Sequence, residues 1–120
     1  MLVVHRGPGR ERSPVWGLPG GHLDWGESPE AAARRELEEE LYLQLNALHE
    51  IGDYRFKGAW HRVYTATVQT PVVEFDRAEL LQVGWHSLDE VARLQRARQL
   101  HAGYELDALL AAREQLQTAG

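Results

Sequence analysis

Apolar residues gather in short runs separated by glycine and proline, and in three places they take a helical period. "MLVVHR", residues 1–6, is rich in β-branched residues and stops at "GPGRERSP", whose Gly, Pro and Ser content marks a loop, so it reads as a strand. "VWGLP" reads as a short extended piece and "GGHLDWGE" as a second loop. A helix opens at Ser28, a good N-cap, with Pro29 at the first helical position and Glu30 where the helix dipole favours negative charge. Its Ala-, Leu- and Glu-rich stretch runs past Leu43, with Asn46 as the stop. "ALHEIGDYRF" and "WHRVYTATVQ" read as two strands joined by "KGA", a hairpin-like turn. "VGWHS" reads as another short strand, and "SLDEVARL" as a short helix opened by the capping-box pattern of Ser87 and Glu90. The tail, residues 104–117, reads as an amphipathic helix that buries Leu106, Leu109 and Leu110. Helices around a mixed sheet make an α/β sandwich. No repeat or linker divides residues 1–120, so one domain is expected.

Composition narrows the chemistry. With 43% apolar residues the chain can build one core. Its formal charge of −5 argues against a nucleic-acid duplex or an anionic membrane as partner, because both reward a basic surface. A small phosphorylated ligand stays open, since a metal ion can bridge it to an acidic site. Lys57 is the one lysine, so any side-chain phosphate clamp must be mostly arginine, which grips phosphate bidentately. The absence of cysteine removes disulfides and thiolate chemistry and fits a reducing compartment. The short apolar run before His5 is too brief for a signal peptide, and no window approaches the roughly 18 apolar residues of a membrane span. A cytoplasmic protein is expected.

The chemistry-bearing stretch is "GGHLDWGESPEAAARRELEEELYL". On a helix, Glu36, Glu39 and Glu40 share a face, whereas Glu38 projects elsewhere. Taken alone, "ELEEE" reads equally as a solvated face with Arg35 and Glu39 as an ordinary i,i+4 pair. The preceding glycines and Glu27 at the mouth of the same helix change that reading. Carboxylates clustered on one face repel one another unless a cation neutralises them. Oxygen-only ligands suit a hard ion such as Mg²⁺ or Mn²⁺, which completes its shell with water and phosphate oxygens.

These residues resemble a known signature. Gly21, Glu27, Arg35, Glu36, Leu37, Glu39, Glu40 and Leu43 fall in register with G-x5-E-x7-R-E-U-x-E-E-x-G-U, the Nudix box of the MutT-like Nudix hydrolases. The flanks "WGLPG" and "LLQVGWHSLDEV" resemble the family too, so the likeness covers nearly the whole chain. The resemblance implies a Nudix-type α/β/α sandwich with a mixed sheet. Family members usually carry a strand before the one that "LVVHR" resembles, so a version lacking the first strand is expected. It implies Glu39 and Glu40 as principal metal ligands, with the Gly20 backbone carbonyl as a further ligand and Glu36 binding metal or activating water. Glu27 and Arg35 would hold the loop against the helix and orient the carboxylates. Glu79, six residues before Trp85, stands where some members carry another metal-binding or base glutamate. The implied activity is Mg²⁺-dependent cleavage of the pyrophosphate linkage of a nucleoside diphosphate derivative, leaning to (d)NTP-type nucleotides, by a monomer or homodimer. The alternative is a Nudix-fold nucleotide-binding or regulatory module without turnover. One box position departs: Tyr42 stands where the family has glycine. A left-handed helix end would strain a residue with a Cβ, so the helix is expected to continue to Asn46.

Other candidates are left open or set aside. His22 is either a substrate contact or a loop residue that packs locally. Trp16, Trp25, Trp60 and Trp85 are core residues by their usual preference, with Trp25 or Trp60 as alternatives for stacking on a nucleobase. Arg6, Arg10 and Arg12 either touch phosphates from the loop or stay solvated. No two histidines stand at i,i+3 or i,i+4, so zinc held from one helix is not supported. No Walker lysine follows a glycine loop, and no serine sits in a G-x-S-x-G frame.

Overall fold

The computed structural model describes residues 1–20, 24–72 and 74–119. Seven elements run in the order β1 (Leu2–His5), α1 (Pro29–Leu41), β2 (His49–Phe56), β3 (Ala59–Thr65), β4 (Leu80–Gly84), α2 (Leu88–Arg96) and α3 (Glu105–Ala119). Strand β1 pairs antiparallel with β4, and β2 with β3. Two isolated bridges add pairing of both senses, antiparallel between Val3 and Gly17 and parallel between Trp16 and Leu100. The chain is therefore of the mixed α/β class expected, with short sheets and three helices. No helix among the described residues is long and apolar enough to cross a membrane.

Strand β1 is the centre of the core. Leu2, Val3 and Val4 are fully buried, and Val3 clusters with Leu80 of β4 and Leu41 of α1. Leu37 and Leu43 pack against the same cluster from either side of the α1 terminus. Ser28 caps α1 as expected, its hydroxyl accepting the Ala31 N–H at 3.1 Å. Ser87 and Glu90 form the reciprocal capping box of α2. Helix α3 packs on α2 and on β2, where Tyr104, just ahead of it, stacks on Tyr54 with ring centroids 5.1 Å apart.

Five expectations are corrected. The first concerns α1, which stops at Leu41 instead of continuing to Asn46. Tyr42 adopts the left-handed conformation, φ 55° and ψ 34°, so this chain keeps the glycine geometry of the box with a tyrosine. Two tertiary anchors turn the chain there: Leu43 drops onto the core, and the Arg34 guanidinium donates to the carbonyls of Leu45 and Asn46. Second, the late strand is Leu80–Gly84, so Trp85 to Ser87 of "VGWHS" lie beyond it. Third, α3 buries Ala108, while Leu106 and Leu109 are half-buried and Leu110 is exposed. Fourth, Trp25, Trp60 and Trp85 are exposed, and only Trp16 is largely covered, edge-on to His86. The hairpin turn is also tighter than "KGA": Phe56 pairs with Ala59, and Lys57 and Gly58 both take positive φ, the two-residue turn that matches strand twist.

Candidate active site

Helix α1 carries the acidic residues, and its period sorts them. Arg35 stands at their centre. Its Nε and one terminal nitrogen grip both oxygens of Glu27 at 2.8 and 3.1 Å, a fork that ties the loop before the helix to the helix itself. Its other terminal nitrogen donates to Glu36 at 3.0 Å and to Glu39 at 3.2 Å, and the Asp24 carboxylate lies 3.3 Å from Nε. Glu27 also accepts the Asp24 backbone N–H at 2.9 Å. The Arg35 hydrogen bonds, then that N–H, hold the Glu27 carboxyl below its ordinary range, and Glu27 in turn raises Arg35.

Glu36 and Glu40 are the two carboxylates turned inward. Glu40 is only 4% exposed. Burial, then a hydrogen bond shared with Glu40, pushes the Glu36 carboxyl above the usual carboxylate value, although Arg35 pulls the other way. Glu39 is more exposed and rests on Arg35, the i,i+4 pair of the solvated-face reading. Glu38 faces elsewhere and accepts from Gln44 at 3.1 Å. Among the described residues, no three His, Asp or Glu side chains converge in a cation-holding group.

His5 was not legible as a site residue. Its Nε2 lies 3.1 Å from a Glu40 oxygen, and its ring also hydrogen-bonds to the Gly20 backbone carbonyl. The Glu40 bond dominates and raises the imidazole above its ordinary value, against the effect of burial. The β1–β4 ladder slips a register between Val4 and His5, and such a bulge re-aims a side chain. The nearest sequence signal was position alone: a polar residue closing an otherwise buried strand.

The remaining candidates are dispersed. Gly20 sits at φ 141°, a conformation that L side chains rarely adopt, and presents its carbonyl to His5. Glu79 is exposed; its backbone carbonyl accepts the Arg6 N–H at 3.0 Å, one residue before β4. The Arg6 side chain is engaged with the Arg77 carbonyl, 2.5 Å from Nε. Trp25 is fully solvent-exposed. Gly21 and His22 lie outside the described residues. Glu105 is a buried carboxylate that the sequence reading did not single out: it is 1% exposed and accepts the N–H groups of Ala102 and Gly103 at 2.8 and 2.7 Å.

Comparison with known proteins bears on the family and the fold. The family model of the NUDIX domain matches residues 1–106. Among solved structures, a MutT NUDIX hydrolase from Burkholderia pseudomallei is 30% identical, with 73% of this chain aligned to 72% of that one and a TM-score of 0.60. A protein from Deinococcus radiodurans shares the fold at 20% identity and a TM-score of 0.65, over 85% of this chain and 69% of that one. The box register, the Glu27–Arg35 clasp and these matches lead to one assignment: the chain belongs to the Nudix hydrolase family.

Proposed function

We propose that the protein hydrolyses the pyrophosphate linkage of a nucleoside diphosphate derivative of the (d)NTP type, with Mg²⁺ as its metal and Mn²⁺ as a substitute. The observation that carries this reading is the pressing together of Glu36 and Glu40, two carboxylates whose mutual repulsion is left partly uncompensated by Arg35 and His5. That donor set fits a hard cation: carboxylate oxygens on one helix face, with the Gly20 carbonyl adjacent through His5. A bound Mg²⁺ would neutralise phosphate charge and acidify a coordinated water.

The chain's own residues have separable duties in this reading. Glu36 and Glu40 hold the metal, with Glu39 joining them once released from Arg35. Glu27 fixes Arg35, and Arg35 fixes the rotamer of Glu36 while holding Glu39 aside, so Glu36 is set before substrate arrives. Glu36, on the same helix face, either joins in holding the metal or accepts the proton of the attacking water at one of its Oε atoms. Trp25, fully exposed, is available to stack on a base, and His22 and Glu79 remain candidates for substrate and metal respectively.

A second reading, a nucleotide-binding module without turnover, draws on one observation: Glu39 is engaged with Arg35, and no three-carboxylate group forms among the described residues. A substrate panel with Mg²⁺, reading phosphate and pyrophosphate release, separates the two. Turnover abolished by chelator and restored by Mg²⁺ is expected. Binding of the same nucleotides without release of either product would establish the module reading.

A further inference from the structure

Two arginines, Arg6 and Arg10, gather beside His5. A pocket of about 150 Å³ opens between the end of β1 and the segment leading into α3. His5, Arg6, Arg10 and His101 line it, with Val15 and Gly17 completing its wall. In a chain of net charge −5, two arginines beside two imidazoles are a local reversal, with His101, held below its ordinary value by burial, serving as a hydrogen-bond donor and not a cation. Acidic groups border this pocket but are already engaged. Glu105 lies beneath Gly17 with its oxygens on the Ala102 and Gly103 amides, and Glu40 faces His5 from the other side.

Arg10 is the telling residue. It is half-buried, yet among the described residues its guanidinium has neither a carboxylate nor a hydrogen-bond partner. Its stem folds back over Gly7, where an added Cβ would lie 3.5 Å from the Arg10 Cγ. Partly dehydrating a charge without a counter-ion is unfavourable, so this position calls for an anion. His101 completes the opposite wall. Its ring leans on Phe56 with centroids 5.1 Å apart, and its Cβ stands 3.2 Å from where a Gly17 Cβ would be. Glycine at position 17 therefore lets the two segments approach and form the pocket.

Size selects among anions. The volume is well under the ~300–1,000 Å³ of pockets that enclose drug-sized ligands. It suits a group the size of a phosphate. His5 is the shared wall, with Nε2 3.1 Å from Glu40, so a phosphate chain lying on the acidic face reaches the pocket by passing one imidazole ring.

We infer that this pocket receives the phosphate of the substrate most remote from its nucleoside, held by Arg10 and His101. The inference rests on the proposed hydrolysis of pyrophosphate linkages and narrows its substrates. Compounds ending in a free phosphate, nucleoside triphosphates among them, are favoured over nucleoside diphosphates that end in a neutral sugar.

The test is calorimetric titration of inorganic tripolyphosphate into the full-length chain, with chelator present so that no metal contributes. Wild-type protein is expected to bind one equivalent. Affinity should fall at least about tenfold in Arg10→Gln and in His101→Gln, hold in Arg10→Lys, and be unaffected by Arg113→Gln, an exposed charge on α3. With Mg²⁺, Arg10→Gln should raise KM for a nucleoside triphosphate by a similar factor and leave KM for a nucleoside diphosphate sugar unchanged. No tripolyphosphate binding by wild type, or equal binding by wild type and Arg10→Gln, overturns the inference. Arg10-dependent binding by a protein that hydrolyses no nucleotide would uphold the pocket and sink the hydrolase reading instead.

Discussion

The left-handed tyrosine at the end of α1 makes a prediction whose sign can be read directly. Tyr42 holds φ 55° and ψ 34°, and its N–H closes back on the Glu38 carbonyl at 3.1 Å while Leu43 N–H reaches Leu37 at 3.2 Å. A residue with a Cβ in this conformation is destabilised by about 1–2 kcal/mol. Glycine removes that strain but brings about 0.4–1 kcal/mol of extra freedom to the unfolded chain. The balance favours glycine over alanine by roughly 0.5–1 kcal/mol. Comparing Tyr42→Gly with Tyr42→Ala cancels the tyrosine ring, which is 59% exposed and packs in part. At about 2.1 cal/mol/K per residue over 120 residues, the difference corresponds to a Tm higher by about 2–4 °C in Tyr42→Gly. Were α1 to run on through this position, alanine would instead be the more stable by about 0.8–1 kcal/mol. Thermal melts of the two variants in chelator decide it, and an alanine variant as stable as the glycine variant, or more so, would refute the left-handed terminus.

Three further outcomes follow from other parts of the molecule. Glu40→Gln or Glu39→Gln should lower kcat at least about a hundredfold with the fold intact, while Glu38→Gln, whose carboxylate faces Gln44, should change little; equal losses at Glu38 and Glu39 would contradict the assigned helix face. Metal-free stability should decline as pH rises beyond the ordinary imidazole value of 6.5. His5 has a raised folded pKa, so its contribution is complete below the unfolded value and is lost as pH climbs through the folded one; Glu36, also raised, contributes with the same sign at lower pH. Tm measured in chelator across that range should flatten in His5→Gln, and an unchanged slope would remove His5 from the account. Glu105→Ala should destabilise by about 2–3 kcal/mol by stranding the Ala102 and Gly103 N–H groups, measured by urea unfolding; a loss below about 0.5 kcal/mol would mean that water replaces the carboxylate.

What the sequence determined by itself is local and periodic. The start of the helix at Ser28 and Pro29 is marked locally, and its period alone groups Glu36, Glu39 and Glu40 away from Glu38. The fork between Arg35 and Glu27 was expected only through the resemblance to the Nudix box, which sets those two residues on either side of the helix cap. What joins distant segments was not legible. His5 meets Glu40 across 35 residues only because β1 pairs with β4 and slips register beside His5. Arg10 and His101 come together because Gly17 lets two loops touch. The end of α1 shows the reason most directly. Tyrosine is an acceptable helix interior residue, and local preference carries the helix onward to Asn46. Burial of Leu43 in the core and the grip of Arg34 on the Leu45 and Asn46 carbonyls outweigh the strain at Tyr42. Leu43 packs on a cluster that includes Val3 and Leu80, distant in sequence, so local helix preference around Tyr42 does not contain the energy that bends the chain.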